Sequence, residues 1–192
     1  MNEVVNFIVL GVPQPRGSKV SIPAYEDILD ASGNKIMHPV TGKPRRRVKM
    51  DPKTDRAIIY TVDDNKKSGP WMKKIQRAAV LALQGREVFT GPVKLTLDFY
   101  VERPLAHFGT GKNAGILKER FARAKPTTKP DRLKLARAVE DALTGIGYRD
   151  DAQTIDGPPR KHYCGVGEMP RVEIQIEFAA VVATVQRSLI EQ

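Results

Sequence analysis

The sequence predicts a single α/β (α+β) domain, and three observations lead there. Two stretches, Val93–Val101 and Arg171–Phe178, alternate apolar and polar residues as half-buried strands do. Two others carry apolar residues at helical spacing, Met72, Ile75, Ala79 and Leu83 in one, and Leu135, Ala138, Val139, Ala142 and Leu143 in the other. A length of 192 residues suffices for one substantial core and is short for two.

The elements follow in order. Val4–Leu10 is a β-branched and aromatic run closed by Gly11, which predicts a first strand; the loop after it, Pro13-Gln14-Pro15-Arg16-Gly17-Ser18-Lys19, is stiffened by its prolines and displays Arg16 and Lys19. From Ala24 to Val62 the pattern is irregular and rich in turn signals, with β-prone pieces at Arg47–Met50 and Ala57–Val62, and reads as one or two basic hairpins. A helix is expected from Ser68-Gly69-Pro70 to about Gln84, before Gly85, with Trp71 as a partly buried anchor at its start and Lys73, Lys74 and Arg77 off the apolar face. After the strand Val93–Val101, a basic stretch contains His107, expected to be a hydrogen-bonding loop residue, and a candidate short helix at Gly115–Ala124. The helix carrying Leu135 to Leu143 is terminated by Gly145 and Gly147. Thr154–Asp156 and Arg160–Tyr163 are extended candidates on either side of the turn Gly157-Pro158-Pro159, and Arg171–Phe178 closes the domain with Val172, Ile174, Ile176 and Phe178 inward.

Composition narrows the function. No apolar run approaches the length a membrane span requires, and the N-terminus lacks the basic region of a signal peptide, so a cytoplasmic, membrane-free protein is expected. Cys164 is the single cysteine, which excludes an internal disulfide and a cysteine-rich zinc site. The net charge is +10, and residues 35 to 77 hold thirteen Lys and Arg against four acids, nearly the whole excess. A localised basic excess is what a surface following a phosphate backbone requires, although a solvated basic loop has the same composition. Gly109-Thr110-Gly111-Lys112 invites a phosphate-loop reading, but Ala106 stands where that loop needs a glycine and Asn113 where it needs Ser or Thr.

The acids carry the chemistry. Asp131 lies just before the second helix and the pair Asp150-Asp151 just after the Gly-containing loop beyond it, so that one hairpin-like unit is a candidate for gathering carboxylates around a hard cation. An Asp at a helix start is also a common cap, and an Asp-Asp pair a common turn.

The order Lys129-Pro130-Asp131, Leu135, Asp141-Ala142-Leu143-Thr144-Gly145, Asp150-Asp151-Ala152-Gln153 resembles the signature of RusA-like crossover junction endodeoxyribonucleases. The Pro13-Gln14-Pro15-Arg16-Gly17 loop, Lys161 with Tyr163, and the strand from Pro170 to Ile174 are similar to further parts of that family. The resemblance implies a RusA-like mixed β-sheet flanked by helices over residues 1–178, with a basic insertion at about 25–47 and a tail at 179–192. It implies a homodimer, in a bacterial cell or a phage-infected host, that resolves four-way (Holliday) junctions by paired Mg²⁺-dependent nicks in DNA recombination or repair, with Mn²⁺ as a candidate substitute. By position, Asp131, Asp151 and Asp150 would be the catalytic and metal-binding acids. Arg16, Lys19, Arg45, Arg46, Arg47, Lys73, Lys74, Lys112, Lys129, Arg137 and Lys161 are the candidate DNA contacts, Arg137 standing where the family has a functional lysine.

One departure matters. Leu133 occupies the position of a second acid, opposite the buried stripe of its helix, and Lys134 replaces the usual Asn. Glu140 shares the face of Leu133 and Arg137, and is read either as a substitute carboxylate or as the partner of Arg137 in an ion pair. A junction-binding protein with weak or lost catalysis is therefore the alternative to an active resolvase, and a module binding structured RNA is a more distant one.

Overall fold

A computed structural model describes residues 3–179; the tail expected at 179–192 lies outside the described residues from 180 onward. In chain order the strands are β1 (Glu3–Leu10), β2 (Lys19–Pro23), β3 (Tyr25–Asp27), β4 (Arg46–Val48), β5 (Ile59–Asp63), β6 (Val93–Val101), β7 (Thr154–Asp156), β8 (Pro159–Tyr163) and β9 (Arg171–Phe178). Helix α1 (Ser68–Ala82) precedes β6, and α2 (Arg132–Leu143) lies between β6 and β7. Within the described residues the chain divides into two compact units, one of residues 3–16 and 66–179 and one of residues 17–65.

The larger unit is a mixed sheet in the order β1-β9-β6, with β7 and β8 both along the free edge of β6. β1 and β9 run antiparallel, as do β9 and β6, whereas β7 and β8 run parallel to β6. Alternation decides the faces. Val5 and Val9 of β1, Val93, Leu95, Leu97 and Phe99 of β6, and Val172, Ile174, Ile176 and Phe178 of β9 are all buried on one side. Trp71, Ile75, Ala79 and Leu83 from α1, and Leu135, Val139, Ala142 and Leu143 from α2, join them in one core. Trp71, expected to be only partly buried, is 3% exposed and takes the place on the α1 stripe assigned to Met72, which is merely half-buried.

The other face of the sheet is open, polar along β6, β8 and β9 and apolar along β1, where Val4, Ile8 and Leu10 are exposed. Asp98 accepts a two-pronged bond from Arg160 (2.7 and 2.6 Å) and lies 2.7 Å from His162 Nε2, while Arg171 stacks over Tyr100 at 3.8 Å and donates to Glu173 at 2.8 Å. The Arg160 hydrogen bond foremost holds the Asp98 carboxyl below its ordinary range, burial opposing it.

β7 and β8 read as one strand interrupted at Gly157. There φ is +118°, and a Cβ would collide with the carbonyl of Leu95, so only glycine permits this approach. Thr154 and Asp156 pair with the start of β6, whereas Pro159 to Tyr163 pair with its second half.

The unit of residues 17–65 is built of two short antiparallel ladders, β2 with β5 and β3 with β4. Its ladders are held by charge as well as backbone bonds: Lys35 and Arg46 both reach Asp27 (2.6 and 2.9 Å), and Arg47 reaches Glu26 (2.7 Å). Ala24 is the one buried apolar side chain among those described there. The short helix expected at Gly115–Ala124 is a 3-10 turn at Glu119–Phe121, since Gly115 and the sparse apolar spacing supply no buried stripe.

Candidate active site

The acid-bearing segments sit on the helix side of the sheet. Residues 144–149 leave α2 through a tight turn in which Gly145 N donates to Tyr148 O (2.7 Å) and Gly147 N to Leu143 O (2.9 Å). Phe89 and Tyr148 then pair by a parallel bridge, which straps the returning chain to the loop before β6.

The Asp150-Asp151 turn is fixed by its own sequence. Asp150 Oδ1 accepts from Ala152 N (2.9 Å), and Asp150 N donates to Gln153 Oε1 (2.9 Å), a reciprocal capping box around the 3-10 turn Asp151–Gln153. The Gln153 amide also donates to the carbonyls of Phe89 (3.0 Å) and Gly91 (2.7 Å). Gln153 therefore clamps the turn to the loop before β6 and leaves Asp151 exposed, its carboxylate with no hydrogen-bond or ion-pair partner among the described residues. Sequence reasoning assigned Gln153 no role, although the Asp-x-x-Gln spacing is itself a capping-box signal.

Asp131 stands at the N-cap of α2, yet its side chain makes no cap hydrogen bond. Asp at this position ordinarily accepts from a backbone N–H, a bond worth about 1 kcal/mol. The carboxylate is exposed and has no partner among the described residues. The segment before it, which contains the cis Lys129-Pro130 bond, is held from β8: Lys161 Nζ donates to the carbonyls of Thr128 (2.6 Å) and Pro130 (3.0 Å).

Towards the C-terminal half of α2 the charges crowd. Burial, then the charges of Asp151 and Asp141, push the Glu140 carboxyl above its ordinary range, with Arg137 opposing. Burial and the same three acids push the Tyr148 phenol up strongly, its hydroxyl donating to Glu140 O at 3.2 Å. Asp141 is neutralised by Arg16 Nε at 2.8 Å, and the Arg16 backbone N donates to Lys134 O (2.8 Å). The expected Arg137–Glu140 ion pair does not form within 4.0 Å among the described residues. Leu133 is 67% exposed, opposite the buried stripe as its spacing predicts.

Among the described residues, no three His, Cys, Asp or Glu side chains converge on one point that could hold an ion. Asp131, Asp150 and Asp151 are thus not gathered into a three-acid group: Asp150 is occupied as a cap, and Asp131 and Asp151 are the open carboxylates. The donor set nevertheless fits a hard cation. Mg²⁺ takes oxygen ligands and commonly uses one or two protein carboxylates with waters and substrate phosphate; Asp131 and Asp151 each offer an unpartnered carboxylate of that kind, and the charge of Asp151 reaches the half-buried Glu140.

The basic residues divide in two. Arg45, Lys73, Lys74, Lys112, Lys129 and Arg137 are exposed, and Lys19 is exposed on β2. Arg16, Arg46, Arg47 and Lys161 are instead engaged with Asp141, Asp27, Glu26 and backbone carbonyls respectively. His107 bonds within its loop through its backbone, N to Pro104 O (2.9 Å) and O from Lys118 N (3.0 Å), whereas its ring stacks on Phe121 at 4.1 Å, meets Tyr163 edge-on, and has its Nδ1 buried without a partner among the described residues.

The family model for the endodeoxyribonuclease RusA matches residues 38–177, a span that takes in α2, the Asp150-Asp151 turn and β6 to β9. The chain belongs to the RusA endodeoxyribonuclease family. The RusA assignment makes it a member of a hydrolase family whose enzymes cut DNA at junctions and generally depend on a divalent metal. The chain is 36% identical over 103 residues to the uncharacterized protein YqaN of Bacillus subtilis (strain 168), covering 53% of this chain and 69% of that one. It is also 31% identical over 88 residues to a protein of Lactobacillus helveticus (strain DPC 4571) named large ribosomal subunit protein bL12, covering 46% of this chain and 72% of that one. No helix among the described residues of this RusA-family chain is long and apolar enough to cross a membrane.

Proposed function

We propose that this RusA-family protein is a Mg²⁺-dependent endonuclease that resolves four-way DNA junctions as a homodimer by paired, symmetric nicks, with Asp131 and Asp151 holding the metal and Asp150 supporting them. One observation carries the reading: Asp131 occupies an N-cap and does not cap, so its carboxylate forgoes a local bond and stays available to another ligand. A bound Mg²⁺ would stabilise the charge on the attacking and leaving oxygens of the phosphodiester.

The chain's own residues do the rest. Asp150 and Gln153 fix the turn and present Asp151 outward. Arg16 cancels the Asp141 charge, which keeps that acid from competing for the cation. Arg137, exposed on α2 and permanently cationic, is suited to hold a phosphate but not to donate a proton. The exposed cations Arg45, Lys73, Lys74, Lys112 and Lys129 supply counter-charge for the DNA arms.

A second reading, a junction-binding protein with weak or lost catalysis, is favoured by Leu133, an exposed apolar residue where the family places an acid. The two separate in one assay, with labelled four-way junction and linear duplex incubated with Mg²⁺ or chelator. Paired symmetric nicks on the junction alone, abolished by chelator and reduced about 100-fold or more in Asp151→Asn, support the nuclease; this follows from several kcal/mol of transition-state stabilisation at tenfold per 1.4 kcal/mol. Binding without nicks under Mg²⁺ and Mn²⁺ supports the second.

A further inference from the structure

We infer that Lys161 is a positioning residue for Asp131, and not the DNA contact that its charge suggests. The inference rests on the reading of Asp131 as a metal-binding carboxylate. Lys161 pairs with Phe99 across the β6–β8 ladder, and Phe99 is fully buried on the helix side of the sheet, so Lys161 projects to that same side. Its neighbours Arg160 and His162 project to the opposite face and are taken up by Asp98.

The Lys161 ammonium spends two of its three N–H groups on Thr128 O and Pro130 O, at 2.6 and 3.0 Å, and has no carboxylate within 4.0 Å among the described residues. The Pro130 carbonyl belongs to the peptide bond that leads into Asp131, so the ammonium grips the chain one bond from the acid. On its other side the Asp131 carbonyl accepts from Leu135 N (3.0 Å), while its side chain takes no cap bond from the helix it begins. The chain that leads into Asp131 is therefore held from the sheet, through Lys161, and the chain that leaves it by the first bond of α2. Ammonium–carbonyl bonds are charge-assisted and stronger than neutral ones, which suits a brace on a segment without regular structure.

The test uses the full chain, free of DNA, titrated with Mn²⁺ and with Mg²⁺ by calorimetry, alongside junction binding in chelator over a range of salt. Lys161→Met is expected to weaken Mn²⁺ and Mg²⁺ binding roughly ten- to hundred-fold, as loss of an outer-shell partner does. Junction affinity in chelator and its salt dependence should stay unchanged, and Lys161→Arg, which retains donors, should recover part of the cation affinity. Cation affinity equal to that of the native protein overturns the inference. So does a junction affinity that falls with the salt slope reduced by about one, the mark of a lost phosphate contact. Asp131→Asn separates the two levels. If it leaves cation binding intact, the metal-site reading fails and this inference with it; if it abolishes binding while Lys161→Met does not, the inference alone fails. Circular dichroism qualifies each variant, and Lys161→Gln, shorter and uncharged, takes the place of Lys161→Met should the latter not fold.

Discussion

Two side chains on α2 concentrate the questions this protein raises. Leu133 is exposed and packs into no buried stripe, so Leu133→Asp costs little in stability and restores an oxygen donor to the helix face that also carries Arg137. Tighter Mn²⁺ binding by calorimetry and faster junction nicking are the expected outcomes; unchanged affinity would show that this face is not where the cation sits. Glu140 gives a pH signature. Burial first, and Asp151 and Asp141 next, raise its folded pKa above the ordinary value of 4.5, so the unfolded chain ionises before the folded one as pH rises. Stability is therefore lost as pH rises from about 4.5 through the raised folded value, and Glu140→Gln should melt higher than the native protein at pH 7 to 8 without divalent ions, the gap closing by about pH 4. Thermal melts at the two pH values check it. The face shared by Leu133 and Glu140 was legible from helical spacing; the failure of Arg137 to pair with Glu140 was not, since spacing gives proximity of backbones and not the choice of rotamer.

At the level of elements, α2 is positioned at both ends by side chains from elsewhere. Arg16 ties its C-terminal half to the loop after β1, and Lys161 ties the segment before it to β8. The Asp150-Asp151 turn depends in the same way on Gln153. Gln153→Leu leaves Gly91 O and Asp150 N without their partner, and Phe89 O with only its bond from Arg149 N, a cost of about 1 to 3 kcal/mol by the usual penalty for an unpaired polar group. Denaturant unfolding should register that loss, together with weaker Mn²⁺ binding through Asp151. The strands β6 and β9 and both helices were readable because their periodicity is local. Side-chain bonds that span long sequence distances, such as Asp98 to Arg160 or Arg103 to the Phe121 carbonyl, leave no local trace.

Over the whole molecule, charge was read correctly in amount and incompletely in use. The basic excess of residues 35 to 77 is real, but Lys35, Arg46 and Arg47 spend their charge on Asp27 and Glu26 across the β3–β4 ladder. Residues 17–65, which take in the basic stretch that the sequence sets apart at about 25–47, form a compact unit with almost no buried apolar residue among those described. Turn signals announce hairpins but say nothing about whether a core encloses them. Junction affinity should accordingly respond more to neutralising Arg45, Lys73 and Lys74 than to Arg46 and Arg47; Arg45→Gln and Arg47→Gln compared by salt-dependent binding decide it, with a slope change of about one for a true phosphate contact.

The interruption at Gly157 makes the edge of β6 a ruler. Asp151 hangs from one end of the β7–β8 run and Lys161 lies in the other, so the count of residues between Gln153 and Lys161 fixes which way Lys161 points. Successive strand residues face opposite sides, and one residue gained or lost beside Gly157 would turn Lys161 to the open face and bring Arg160 or His162 into its place. Single-residue insertions and deletions should therefore be tolerated in the loop after β6 and rejected between Gln153 and Lys161. Substitutions there would wear the sequence down while its length stayed constant.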